Sequence, residues 1–332
     1  MPWRRMAWVT WRQHRLALAG VAALLGALAL CLWIFGLQLH HVYAAATVCH
    51  PASSIACGEL ARHFNGMGGL LANGYLLQVV PALIGAFVGA PVLARELETG
   101  TFRYAWTQGL GRWRWTLFKL VALGVTVAAA AGALSELISW YYQPYLATSN
   151  PSLALSEWSP LSPGLFDLRG AGFAAWTLAA LSIGGLAGMV ARRVVPAIVV
   201  TVAVYAGLAS ACGLYLRPHY LAPLITSNPG MWVSPGSAWV ISQHWTTQGG
   251  RPVSLAVVGK VLQGAPQLAG KGGVPKALTS AQYVMQYGYR VLTSYQPASR
   301  FWLFQFIEGG GLLALSVLLI AATTWLVRRR LA

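Results

Sequence analysis

Residues 16–35 read LALAGVAALLGALALCLWIF, a stretch of roughly twenty residues without a charged side chain. A bilayer core is about 30 Å thick, and a helix of about 20 apolar residues crosses it. Further stretches of this kind follow, and the predicted spans are Leu16–Phe35, Gly74–Leu93, Thr116–Trp140, Ala171–Val190, Val194–Leu216 and Phe301–Val327. Lipid offers no partners for backbone N–H and C=O groups, so each span must be helical. We therefore expect an all-α membrane protein, built as a bundle of six transmembrane helices.

The composition and the charge pattern agree with this expectation. Hydrophobic residues make up 57% of the chain and charged residues 9%, which leaves too little polar surface for a soluble domain. The formal net charge is +16. The basic residues crowd the termini and alternate connections, at Arg4, Arg5, Arg12, Arg15, Arg95, Arg103, Arg112, Arg114, Lys119, Arg192, Arg193 and Arg328–Arg330. By the positive-inside rule these segments and both termini are cytoplasmic. Topology thus accounts for the charge, and we expect no nucleic-acid partner.

We expect a single transmembrane domain over residues 1–332. Its parts are an N-terminal interfacial helix (1–15), spans 1 to 5 (16–216), an extracellular loop or cap (217–300), span 6 (301–327) and a cytoplasmic tail (328–332). The interfacial helix is predicted because Trp3, Trp8 and Trp11 lie near one face among arginines that reach toward headgroups. Two alternatives stay open: a simple Trp and Arg anchor, and a cleaved signal peptide, whose apolar region is usually shorter, about 7–15 residues.

The connection between spans 5 and 6 is long enough to cross the membrane whatever its charge. Apolar and small residues recur in it at helical spacing, at Leu278, Ala281, Met285, Gly288 and Leu292. A Gly- and Pro-rich stretch, 249–273, precedes them. We expect a small folded cap, which acts as an exit gate, a partner-binding surface or a plain stabilising lid.

Cys49 and Cys57 lie eight positions apart in the first outer connection. That connection faces an oxidising compartment, so a local disulfide is possible. Two free thiols are the alternative, and a metal site with the neighbouring histidines is a third, although no tight zinc-ligand spacing supports it. Cys31 and Cys212 lie in spans and are expected to be packing residues.

Two Gly-x-x-x-Gly motifs occur inside predicted spans. Gly85 and Gly89 form one, and Gly184 and Gly188 form the other. Such spacing allows close helix approach. The motifs therefore indicate contacts either within the bundle or between protomers.

The connection Ala94–Trp115, ARELETGTFRYAWTQGLGRWRW, carries the most specific pattern. Gly100 is able to adopt a positive φ and so to end the helix that continues from span 2. Thr101 is then positioned to cap a second short helix that runs to Gln108. Phe102 and Trp106 share one face of that helix by their spacing. We predict a short amphipathic helix at the inner membrane surface.

The run Arg95–Phe102, RELETGTF, followed after a gap by Gly111 and Arg112, resembles the loop after the second span in ABC-2-type exporter permeases. That family has six spans with both termini inside, so the resemblance covers essentially the whole chain. This sequence departs from the family pattern at Gly111, where the family often has Ser, and at Gly109, where it often has Pro.

The resemblance implies that the loop forms a coupling helix, which sits in a cleft of a separate ATPase subunit. The implied ATPase-coupling residues are Arg95, Glu96, Glu98, Gly100, Thr101, Phe102, Arg103, Trp106 and Arg112. It also implies a second permease subunit, identical or homologous, and a location in a bacterial plasma (inner) membrane. The acidic pair Glu96 and Glu98 would contact the ATPase, form salt bridges to Arg95 or Arg103, or simply end a solvated helix.

The chain shows no nucleotide site of its own. Gly264, Gly270 and Lys271 resemble a P-loop only superficially, because the spacing is one residue too long and Gly272 replaces the required Ser or Thr. We expect no cofactor, metal or catalytic residue in this chain, with ATP and Mg bound by the partner subunit.

Glu136 and Glu308 are the acidic residues inside predicted spans, where ionisable groups are costly and therefore suspect. A functional interpretation places them along an outward path for a cationic or amphipathic substrate, or in a proton-sensitive latch. A structural interpretation pairs them with Arg169, Arg217, Arg300 or a tyrosine hydroxyl.

The sequence favours the permease subunit of an ATP-driven exporter that moves a hydrophobic or amphipathic substrate, such as a lipid, drug or peptide, out of the cell. A polytopic intramembrane enzyme is one alternative, but the sequence has no H-E-x-x-H or Gly-x-Ser-x-Gly motif. An ion-coupled secondary transporter is another, although its acids would be expected near the midplane. A structural anchor or sensor subunit without transport is a third.

Overall fold

The structure, a computed structural model, describes residues 2–50, 54–67, 74, 76–100, 112–147, 159–229, 237–263 and 283–330, without the side chains of 2–11, 13, 14, 112, 228, 229 and 330. Within these residues, six helices are long and apolar enough to cross a membrane. These spans 1 to 6 are Arg15–Val48, Val79–Thr99, Trp113–Ala147, Gly172–Ala191, Val194–His219 and Ala298–Arg329. The six-span bundle predicted from the sequence is therefore confirmed.

The described helices and strands follow one another along the chain with short breaks. The α-helices are α1 (Pro2–Val48), α2 (Ile55–Gly66), α3 (Val79–Ile84), α4 (Ala90–Thr99), α5 (Arg112–Ala147), α6 (Pro163–Phe166), α7 (Gly172–Ala191), α8 (Val194–Ala211), α9 (Leu255–Gln263) and α10 (Phe301–Arg330). The strands are β1 (Leu224–Pro229), β2 (Trp239–Thr247), β3 (Pro252–Val253) and β4 (Tyr289–Gln296). A π-helical turn at Gly85–Gly89 joins α3 to α4, so span 2 is one continuous helix.

Helix α1 corrects the expectation of a separate interfacial helix over residues 1–15. The helix begins at Pro2 and runs without a break to Val48. No glycine or proline lies between Trp3 and Ala19, so nothing in the sequence interrupts the helix before span 1. The first residues are helical, as predicted, but they are continuous with the span.

Span 4 is the central helix of the bundle and packs against spans 2, 3 and 5. The two Gly-x-x-x-Gly motifs meet where span 4 contacts span 2. A Cβ added to Gly85 would lie 2.6 Å from the Ala180 carbonyl oxygen, and one added to Gly184 would lie 2.6 Å from the Ala90 nitrogen. The backbones touch here because neither residue has a side chain. Of the two possibilities left open by the sequence, the motifs make the contact within the bundle.

Residues 156–162 and 218–301 form a second compact unit, distinct from the helical bundle. It contains an antiparallel sheet in the order β1-β4-β2-β3. Its core is formed by Trp245, Val258, Val284 and Val291. The unit is folded, as expected for a cap. The helical pattern predicted over 278–292 is wrong at its end, because β4 begins at Tyr289 and buries the β-branched Val291 and Thr293 at the two-residue spacing of a strand.

Candidate functional site

The end of the bundle that carries the predicted coupling loop is held together by a buried lysine. Helix α4 ends at Thr99, and Gly100 follows with φ of 71°, as predicted from its freedom to adopt this conformation. One turn earlier, the Glu96 carboxylate lies 2.7 Å from Lys119 Nζ, and Lys119 also donates to the Val92 carbonyl at 3.1 Å. The Lys119 side chain is only 1% exposed. This ion pair joins the last turns of span 2 to the first turns of span 3.

Glu98 connects the same region to span 5. Its Oε2 accepts a hydrogen bond of 3.1 Å from the backbone N–H of Val194, the first residue of α8. The unpaired N–H groups and the dipole at a helix N-terminus favour a negative charge. Around Gly100, therefore, two carboxylates tie the end of span 2 to the starts of spans 3 and 5.

The predicted coupling residues are distributed unevenly in this arrangement. Thr101, Phe102, Arg103 and Trp106 lie outside the described residues, and Arg112 opens α5 with its side chain not described. Arg95 is exposed. The salt bridge predicted from Glu96 to Arg95 is wrong, because Glu96 pairs with Lys119 on the neighbouring helix.

Lys119 was identified in the sequence only as a topological charge. Its position near the start of a long apolar helix was the available signal, because a lysine there needs a partner when neighbouring helices cover it. The partner lies 23 positions away in the sequence and on another helix, so spacing alone does not identify it.

At the opposite end of the same helices, a second charged group surrounds Arg217. The Arg217 side chain is 0% exposed and forms salt bridges with Asp167 and with Glu308, the latter at 2.8 Å. The indole N–H of Trp176 is 3.2 Å from Asp167 Oδ1 and 3.1 Å from Glu308 Oε1. We call Asp167, Trp176, Arg217 and Glu308 the arginine cluster. It joins the start of span 4 to the ends of spans 5 and 6.

Neighbouring groups hold the arginine cluster in place. Gln78 Nε2 donates to Asp167 Oδ2 at 3.2 Å, and the Tyr205 hydroxyl donates to the Gln78 carbonyl at the same distance. The Arg217 guanidinium lies 4.3 Å from the centroid of the Phe166 ring. Gln305, one turn before Glu308, donates to the Phe166 carbonyl at 2.9 Å. Spans 2, 4, 5 and 6 all contribute to this network.

The arginine cluster contains two carboxylates and one guanidinium. Burial raises the pKa of Asp167 to about 7, and the nearby Glu308 carboxylate acts in the same direction, while Arg217 lowers it. At neutral pH, Asp167 therefore exchanges between its neutral and ionised forms. When both acids are ionised, the four cluster residues carry one net negative charge.

The two acids singled out in the sequence have different partners. Glu308 pairs with Arg217, one of the arginines offered by the sequence. Glu136 is exposed on span 3, and its charge raises the pKa of Arg169, although burial has the larger effect and lowers that pKa. The suggestion that either acid lines a substrate path stays a prediction.

Sequence analysis missed Asp167, Trp176 and Gln78. Asp167 is the only aspartate in the chain, which was an available signal. It lies just before the predicted start of span 4, so it did not count as an intramembrane acid.

Cys49 and Cys57 form a disulfide, with their Cα atoms 5.7 Å apart. The bond joins the end of α1 to the first turn of α2, where Ser54 Oγ accepts from the Cys57 N–H at 3.2 Å. Neither sulfur is then a thiolate ligand. His40 stacks on Trp140 and bonds to its carbonyl, which connects span 1 to span 3.

Six apolar helices with paired charges at both ends define a multi-pass membrane protein whose polar groups join helices to one another. A sequence model of the ABC-2 membrane transporter related family matches residues 21–217, which is more than half of the chain. The chain therefore belongs to this family, and it is a membrane subunit of the ABC transporter type. The matched region contains spans 1 to 5 and the connection that carries RELETGTF. No curated protein and no solved structure matches the chain.

Proposed function

We propose that this chain is the permease subunit of an ATP-driven exporter and that the segment from Arg95 to Arg112 is its contact with a separate ATPase subunit. ATP and Mg are bound by that partner, and a second permease subunit, identical or homologous, completes the transporter. The membrane is the plasma membrane of a bacterium, with both termini in the cytoplasm. The substrate is hydrophobic or amphipathic.

The network of bonds around Gly100 is the observation that carries this proposal. Glu96 bonds to Lys119 of span 3, and Glu98 bonds to the first N–H of α8 in span 5. A force on the segment after Gly100 is therefore applied at a point where three spans are joined. Displacement of this point would tilt those helices together rather than bend one of them, because packed helices move as bodies.

A second feature supports an external source of energy. The sequence has no P-loop. Transport against a gradient would therefore require an energy-supplying partner. Family membership supports the same conclusion, since the matched family is one of transporter-related membrane proteins.

Co-purification tests the proposal directly. The chain would be tagged, expressed from its native genome and purified in mild detergent, and ATP hydrolysis and associated polypeptides would be measured. We expect an ATPase subunit to accompany the native chain. Trp106→Ala should remove most of that ATPase, because it deletes a large apolar contact in the predicted coupling helix.

Trp325→Ala is the matched control, because Trp325 is an exposed tryptophan on span 6, near the C-terminus. It should retain the ATPase at the level of the native chain. Equal loss in both variants, or no ATPase with the native chain, would contradict the proposal. Catalytic turnover of a substrate by the isolated chain would favour the intramembrane enzyme instead.

The orientation has its own measurement. A single cysteine at Arg103, introduced in a chain with Cys31 and Cys212 replaced by serine, should react with a membrane-impermeant maleimide only after the cells are opened. Labelling of intact cells would place the loop outside and refute the proposed contact with an ATPase.

A further inference from the structure

A cavity lies beside the arginine cluster. Its volume is about 330 Å³, and its walls come from the start of span 2, the start of span 4 and the middle of span 5. This volume is at the small end of the range for ligand pockets, about 300–1,000 Å³. The cavity therefore has room for a compact organic ligand.

The walls of the cavity are mostly apolar and aromatic. Phe173, Trp176 and Tyr205 all contribute to them, and the Trp176 and Tyr205 rings meet edge to face with centroids 5.5 Å apart. Aromatic faces attract cations, and the attraction increases when water is excluded. At the mouth, Val79 and Val202 are 49% and 42% exposed on helices that cross the membrane. Ligands are thus expected to enter from the lipid side.

One wall of the cavity carries charge. Asp167 lines the cavity, and its side chain is 17% exposed. Its carboxylate shares Arg217 with Glu308, so a single guanidinium serves two acids. The charge facing the cavity is therefore negative whenever both acids are ionised. A metal ion fits this cavity poorly, because hard cations require several oxygen ligands, whereas the lining is largely apolar.

We propose that this cavity binds an organic cation with an apolar body, which enters from the bilayer and places its positive charge between the Asp167 carboxylate and the rings of Trp176 and Tyr205. The inference rests on the proposed function for its role in transport, as a substrate subsite. Binding itself requires no ATPase and is measured on this chain alone.

Tetraphenylphosphonium and tetraphenylborate are a matched pair of probes, because they have nearly the same shape and opposite charge. The purified chain would be reconstituted in nanodiscs of zwitterionic lipid, and equilibrium binding of each radiolabelled probe would be measured at pH 8. We expect saturable binding of the phosphonium and only non-saturable partitioning of the borate.

Two variants test the location. Ala206→Phe fills the cavity from span 5 without changing a charge, and Ala203→Phe makes the same change one turn earlier, at an exposed residue outside the cavity. Ala206→Phe should weaken phosphonium binding by about tenfold or more, and Ala203→Phe should leave it unchanged. Asp167→Asn keeps the shape of the side chain and should also weaken binding by about tenfold or more.

Each variant would first be checked for monodisperse elution, and Ala206→Phe keeps the test valid if Asp167→Asn does not fold. Saturable borate binding, the absence of saturable phosphonium binding by the native chain, or equal affinity in Ala206→Phe and Ala203→Phe would overturn the inference. The proposed function fails separately, when no ATPase accompanies a chain that still binds the phosphonium.

Discussion

Replacing Gly184 with alanine should force spans 2 and 4 apart. The new Cβ would lie 2.6 Å from the Ala90 nitrogen and 2.8 Å from the Gly89 carbonyl carbon. Both are backbone atoms, so no side-chain rotation relieves the clash, and the helices must move. Overpacking of this kind costs about 1–3 kcal/mol.

The control for this substitution is Gly207→Ala in span 5. No atom lies within 4 Å of a Cβ added at Gly207. Alanine stabilises a helix relative to glycine by about 1 kcal/mol, and this gain applies to both variants. The difference between them therefore isolates the clash, and we expect Gly184→Ala to be less stable than Gly207→Ala by about 1–3 kcal/mol.

The free energy of unfolding would be measured by titrating each variant in dodecyl maltoside micelles with sodium dodecyl sulfate and following helix content by circular dichroism. The native chain provides the reference curve. If Gly184→Ala unfolds at the same or a higher detergent fraction than Gly207→Ala, spans 2 and 4 do not touch at these glycines, and the central position of span 4 is refuted.

Other predictions follow from the charged groups and the disulfide. Lys119→Met should destabilise the chain by about 3–5 kcal/mol, because it leaves Glu96 without its ion pair, and Lys119→Met with Glu96→Gln should recover part of that loss in the same titration; a double variant less stable than the single one would contradict the pairing. Because the pKa of Asp167 is raised to about 7, phosphonium affinity should increase by about tenfold from pH 6 to pH 8, as the neutral acid becomes a carboxylate, and the affinity of Asp167→Asn should stay constant; equal pH profiles would exclude Asp167 as the titrating group. Cys49→Ser with Cys57→Ser should lower the unfolding free energy by about 2–3 kcal/mol, because the closed loop of the disulfide no longer restricts the unfolded chain, and the reduced native chain should match this variant; no change on reduction would mean that the cysteines are not paired.

The bundle was predictable because length and hydropathy suffice to identify a span. A bilayer requires about 20 apolar residues per helix, and each of the six segments met that requirement independently of the others. The end of α4 was predictable for a similarly local reason, since Gly100 follows a helical run and adopts a positive φ. The misread segment was β4, where helical and strand spacings both fit a short run of mixed residues, and pairing with β1 and β2 decides the outcome.

The charged groups were less predictable because their partners are distant in the sequence. Arg217 meets Glu308 across 91 positions and Asp167 across 50. Charge and depth in the membrane identified Glu308 as unusual, but only the packing of spans 4, 5 and 6 decides which arginine it meets. Asp167 was missed because it precedes span 4 by a few residues and becomes buried only when α6 folds against the helix ends.

Span 5 relates the two charged regions to each other. Its first residue, Val194, is held by Glu98 of span 2, and Arg217 near its other end is held by Asp167 and Glu308. Between these points the span is 26 residues long, roughly 40 Å at the rise of a helix, and it contributes Val202, Tyr205 and Ala206 to the proposed cation cavity. A helix held at both ends by charged groups transmits displacement along its length instead of absorbing it in a frayed terminus. Movement of the segment after Gly100 would therefore reach Tyr205 through one helix, and the cavity volume would respond without any change in the residues that line it.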